Sequence, residues 1–85
     1  MKTLETLLSK IADEMRLANE NYGPIASTHE LYAVIKEELD ELWDLTREWK
    51  GRMPIRENKD VFTRELLQIA AVALRGIIQI EKENE

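Results

Sequence analysis

The chain has 85 residues, 44% hydrophobic and 34% charged, with three Gly, two Pro and no Cys, which describes one globular domain (residues 1–85) without disulfides or thiolate metal sites. A domain this short buries only roughly 60% of its unfolded surface, so self-association is a natural supplement. The net charge of −5 excludes the basic footprint that a nucleic-acid polymer needs, although a divalent cation can reverse the local sign for a single nucleotide.

The N-terminus, Met1-Lys2-Thr3-Leu4-Glu5, lacks a secretory apolar core, and a cytoplasmic location with no membrane partner is expected. A first helix is predicted from about Thr3 to about Glu20, with Leu4, Leu7, Leu8, Ile11, Met15 and Ala18 on one face. Gly23 and Pro24 end it: one can take positive φ, and the other cannot continue a helix. Ser27-Thr28-His29-Glu30 matches a capping box and opens a second helix that is expected to run to about Lys50 and stop at Gly51.

Leu31, Val34, Ile35, Leu42, Leu45 and Trp49 form the inward stripe of the second helix. A basic loop follows with Lys50, Arg52, Arg56 and Lys59. The third helix should start near Asn58 or Lys59 and reach about Lys82, leaving a disordered tail from residue 82. Its stretch from Leu66 to Ile80 is apolar almost all the way round, yet its longest apolar run, Ile69 to Leu74, is far short of a bilayer span. Three helices cover only part of such a surface, so a second subunit is expected to cover the rest. Ala70, Ala71, Ala73 and Gly76 would permit close helix approach. The fold class is therefore all-α, a three-helix protomer assembling into a dimeric or tetrameric helical bundle.

The second helix carries an anomaly. Glu38 lies four residues after Val34 and four before Leu42, on the apolar stripe, and Glu41 follows nearly one turn later. Carboxylates aimed at a core are costly unless paired, protonated or bound to a cation. The third helix repeats the pattern, since Glu65 and Gln68 fall between Val61 and Val72. In a hairpin or bundle, Glu38 and Glu41 can face Glu65 and Gln68. Three carboxylates and an amide oxygen suit a hard cation such as Mg²⁺ or Mn²⁺, whose remaining ligands are water and phosphate oxygens. The competing reading is an acidic, solvated helix face.

At these residues the chain resembles the MazG-like, all-α nucleoside triphosphate pyrophosphohydrolases. Glu37-Glu38-Leu39-Asp40-Glu41 supplies the EExxE motif, and after a gap of 23 residues (42 to 64) Glu65-Leu66-Leu67-Gln68 stands at the second motif, ExxD. The resemblance implies hydrolysis of a (d)NTP to the monophosphate and pyrophosphate, dependence on Mg²⁺, and a homodimer or homotetramer. It implies Glu38, Glu41 and Glu65 as metal ligands, with Glu37 as a support, a ligand or the base for water. Gln68 stands where the pattern has Asp; its amide oxygen can coordinate, but it cannot act as a base.

Outside the motifs, His29 is a candidate for the base and Lys50, Arg52 and Arg56 for the triphosphate tail, against the plainer readings of a surface histidine and a solvated loop. Arg75, on an apolar helix, needs a partner: an acid of another helix first, a phosphate second. Trp49 fits the apolar stripe and Trp43 does not, which marks Trp43 for an interface. The alternative function is a catalytically degenerate helical oligomer that binds nucleotide or protein, its acids set against Lys36, Arg64 or Arg75.

Overall fold

The computed structural model describes residues 3–48 and 59–83. They form α1 (Leu4–Tyr22), α2 (Thr28–Glu48) and α3 (Lys59–Glu83). The expected stop at Gly51, Trp49 and the basic residues Lys50, Arg52 and Arg56 lie outside the described residues. Lys82 and Glu83, assigned above to the tail, belong to the last turn of α3.

Local chemistry sets the helix ends. Thr3 Oγ1 accepts from the Thr6 N–H at 3.2 Å, which satisfies one of the free donors of the first turn. At the other end Gly23 takes φ 72° and ψ −171° and donates its N–H to Asn19 O at 2.9 Å; a residue with a Cβ is strained there. Ser27 Oγ accepts from the Glu30 N–H at 3.1 Å, as the capping box predicts. The Glu30 carboxylate reaches one residue further back than the usual box and accepts from the Ala26 N–H at 2.9 Å.

α3 is the middle element. α2 runs antiparallel to it, with Leu31 against Gly76 and Glu41 near Glu65. α1 runs parallel to it, with Asp13 and Glu14 across a groove from Asp60 and Arg64, and Asn19 bonded to Arg75. α1 and α2 make no close approach to each other, so a groove remains between them with α3 as its floor. Ala71, Val72, Arg75 and Gly76 of α3 are buried, and Ile25 plugs the α1–α2 connection. Ile25 has no periodic neighbours in the sequence, so helical patterning does not find it.

Leu4 and Leu8 are exposed, although the stripe of α1 includes them. Among the described elements α1 packs on α3 alone, and it buries a narrower face against it than its apolar pattern offers. On α3, Leu66, Ala73 and Ile77 are exposed; at 100° per residue they lie opposite Gln68 and Arg75. No helix among the described residues is long and apolar enough to cross a membrane.

Gly76 marks the tightest helix contact: a Cβ built there would come within 2.7 Å of Leu31 Cδ1. Gly76→Val pushes against the Leu31 side chain and is expected to cost about 1–3 kcal/mol. Urea unfolding should show a lower midpoint with an unchanged slope.

Candidate metal centre

Glu38 and Glu41 project from adjacent turns of α2, and Glu65 projects from the antiparallel α3. One carboxylate oxygen from each lies within 4.8 Å of the other two. Glu38 and Glu65 are half-buried, whereas Glu41 is exposed at the rim. The helices that carry these groups are held by packing elsewhere, so mutual repulsion cannot spread them freely.

Nearby cations do not relieve the cluster. Lys36 pairs with Asp40 at 3.0 Å, and Arg47 with Asp44 at 2.8 Å. Arg64 opposes the upward shift of the Glu65 pKa, but burial and Glu41 outweigh it. Among the described residues no ion pair reaches Glu38, Glu41 or Glu65, and Oε2 of Glu38 and Oε2 of Glu65 are buried without a hydrogen-bond partner. An unsatisfied buried acceptor carries its full desolvation cost.

The electrostatics follow. Burial, then the charges of Glu41 and Glu65, a hydrogen bond with Glu41 and the charge of Glu37 push the Glu38 carboxyl up from 4.5 to about 7. The Glu65 carboxyl is also raised, by burial first and then by the charge and hydrogen bond of Glu41. A hydrogen bond between carboxyl groups needs a proton on one of them, so the cluster has two ways to relieve itself: it holds a proton or it holds a cation. Three converging carboxylates, two of them with sealed and unpartnered oxygens, are the donor set of a hard divalent cation.

The remaining predicted residues divide clearly. Gln68, one turn beyond Glu65, lines a cleft of about 330 Å³ that Glu38 also lines. Glu37 is exposed beside Glu38, and Asp40 is exposed and occupied by Lys36. His29 is exposed in the first turn of α2, nine residues or about 13 Å of helix axis from Glu38. Arg75 does not pair with an acid: its Nε donates to Asn19 Oδ1 at 3.0 Å and its Nη2 to Gly23 O at 2.9 Å. The last turn of α1 has no basic residue of its own, and Arg75 supplies the cation that its carbonyl end attracts.

The cleft lies in the groove between α1 and α2. Leu17, Asn21 and Tyr22 of α1, Val34 of α2, and Ala71 and Val72 of α3 complete most of its lining. Tyr22 falls outside the motifs and stripes of the sequence. Its position just before Gly23, at the end of an otherwise amphipathic helix, is the one signal that could have marked it.

Comparison with protein-family models, curated proteins and solved structures finds no match. The observations support an all-α three-helix fold with a carboxylate cluster.

The raised pKa of Glu38 has a definite sign in stability. Its folded value, about 7, exceeds its ordinary 4.5, so the folded state binds more protons between those values. Metal-free protein is expected to lose stability as pH rises from about 4.5 to about 7, with a slope of at most about 1.4 kcal/mol per pH unit for one proton. Denaturant unfolding across that range in EDTA should show this decline, and Glu38→Gln should flatten it and raise stability at pH 7.

Proposed function

We propose that this chain is a divalent-cation-dependent hydrolase that cleaves a nucleoside triphosphate to the monophosphate and pyrophosphate. The supporting observation is the convergence of Glu38, Glu41 and Glu65 with two sealed, unpartnered oxygens. These three carboxylates hold Mg²⁺, or Mn²⁺ in its place. When bound, the cation offsets the charge of the triphosphate and polarises a phosphoryl oxygen.

The chain's own residues supply the rest. Glu37, exposed and outside the cage, accepts a proton from the attacking water. The water oxygen bonds to the α phosphorus, the bridging α–β P–O bond breaks, and pyrophosphate leaves with the bridging oxygen. The cleft beside Glu38 receives the nucleoside. Gln68 adds no charge, so the cage carries three negative charges where the family pattern would give four, and cation binding is weaker for it.

The proposal includes a homo-oligomer. Leu66 and Ile77 are 53% and 56% exposed on the outer face of α3, and Trp43 on α2 is 58% exposed. Exposed apolar side chains of this size support an association surface. The same face, with the amide at position 68, favours the second reading, a helical oligomer without catalysis. Ile77→Lys should convert an oligomer to a monomer in sedimentation equilibrium; an unchanged mass would remove this face from the interface.

The catalytic reading is tested by pyrophosphate release. Release from a nucleoside triphosphate should require Mg²⁺ and fall by more than about 100-fold in Glu38→Gln, because loss of a direct ligand exceeds the effect of losing its supports. Mg²⁺ should also raise the melting temperature, by about 2.7 kcal/mol of stabilisation at 100 times Kd. No release together with no Mg²⁺-dependent rise would favour the non-catalytic oligomer.

A further inference from the structure

Arg75 is the one buried charged side chain among the described residues, at 9% exposure. Buried guanidinium groups are ordinarily paired with carboxylates. Here both partners are neutral: Asn19 Oδ1 at 3.0 Å from Nε and Gly23 O at 2.9 Å from Nη2. The carbonyl end of α1 contributes at most about half a negative charge. The guanidinium therefore keeps a surplus of positive charge inside an acidic chain.

Its geometry leaves a specific edge free. Nε and Nη2 are engaged on one side, while Nη1 donates to no acceptor among the described residues. Nη1 is also not sealed in the manner of the Glu38 and Glu65 oxygens. The Nη1–Nη2 edge is the planar fork that grips an oxyanion through two parallel hydrogen bonds. Arg75 lines the cleft between α1 and α2 together with Asn21 and Gln68. Neither of those amides has a hydrogen-bond partner among the described residues. Glu14 and Glu38 line the same cleft toward its other end: Glu14 lies across from Arg64 and Glu38 beside Glu65, and ten residues, or about 15 Å of helix axis, separate Glu65 from Arg75.

We propose that the Arg75 end of this cleft is an oxyanion subsite, which takes a phosphate or carboxylate group of a small molecule on the free guanidinium edge beside Asn21, with Gln68 further along the cleft toward Glu38. The subsite needs no divalent cation and does not rest on the hydrolase reading. A cleft of about 330 Å³ has the size of a small-molecule site, and its apolar wall of Leu17, Val34 and Val72 suits a ring or chain next to the anionic group.

The test uses the full chain in EDTA, labelled with ¹⁵N, titrated with inorganic phosphate and separately with acetate, with NaCl holding ionic strength constant. Saturable shifts are expected at Arg75 Nε, the side-chain amides of Asn21 and Gln68, and the Ala71 amide. The anion with the tighter saturation identifies the source of the oxyanion. Arg75→Gln should abolish the shifts, but it also removes the bonds that hold α1 and can unfold the chain. Leu17→Glu, at a partly exposed cleft position, keeps those bonds and should weaken binding at least tenfold. The absence of saturable shifts at these groups, or shifts equally strong in Leu17→Glu, would overturn the subsite. Failure of Mg²⁺-dependent hydrolysis would leave this result untouched, because no cation is present.

Discussion

Two hydrogen bonds from one guanidinium fasten the end of α1 to α3: Arg75 to Asn19 Oδ1 and Arg75 to the carbonyl of Gly23. Gly23 turns the chain there with a backbone conformation that only glycine adopts without strain. Ile25 is buried immediately after it, and Ser27 then starts α2. The direction in which α2 leaves is thus decided within a few residues of the Arg75 clasp. α2 packs back on α3 with Leu31 against Gly76, while α1 stays on the other flank. The groove between the flanking helices and the meeting of Glu38 and Glu41 with Glu65 both depend on this arrangement.

The carboxylate cluster is stable only under a condition. Each acid alone would be an ordinary surface or half-buried glutamate. Burial raises the pKa values of Glu38 and Glu65, and the charge of Glu41 raises both further. A proton satisfies one oxygen and neutralises one charge. A divalent cation can meet one oxygen from each of the three carboxylates at once. That difference in what each occupant can neutralise is the physical content of the metal reading.

Charge is distributed along the protomer with consistent local logic. Exposed acids on α1 and α2 carry their own cations one turn away: Arg16 with Glu20, Lys36 with Asp40, Arg47 with Asp44. Such exposed pairs contribute little to stability, but they keep those cations from neutralising the cluster. Glu38, Glu41 and Glu65 on one side and Arg75 on the other stand outside these local pairs. The groove connects them.

Much of this was legible in the residues. Periodicity marked three helices, Gly23 marked the end of α1 and the Ser27–Glu30 box the start of α2, and the spacing of Glu38, Glu41 and Glu65 marked the cluster, because helix geometry is local and repeats at a known interval. What the sequence could not determine was which faces meet. The neutral partners of Arg75, the burial of Ile25, the exposure of Leu4 and Leu8, and the cleft that joins Gln68 to Asn21 all require knowing that α1 and α2 lean on α3 and not on each other. Contacts between residues more than fifty positions apart, such as Asn19 with Arg75, leave no periodic trace. Only packing in three dimensions creates them.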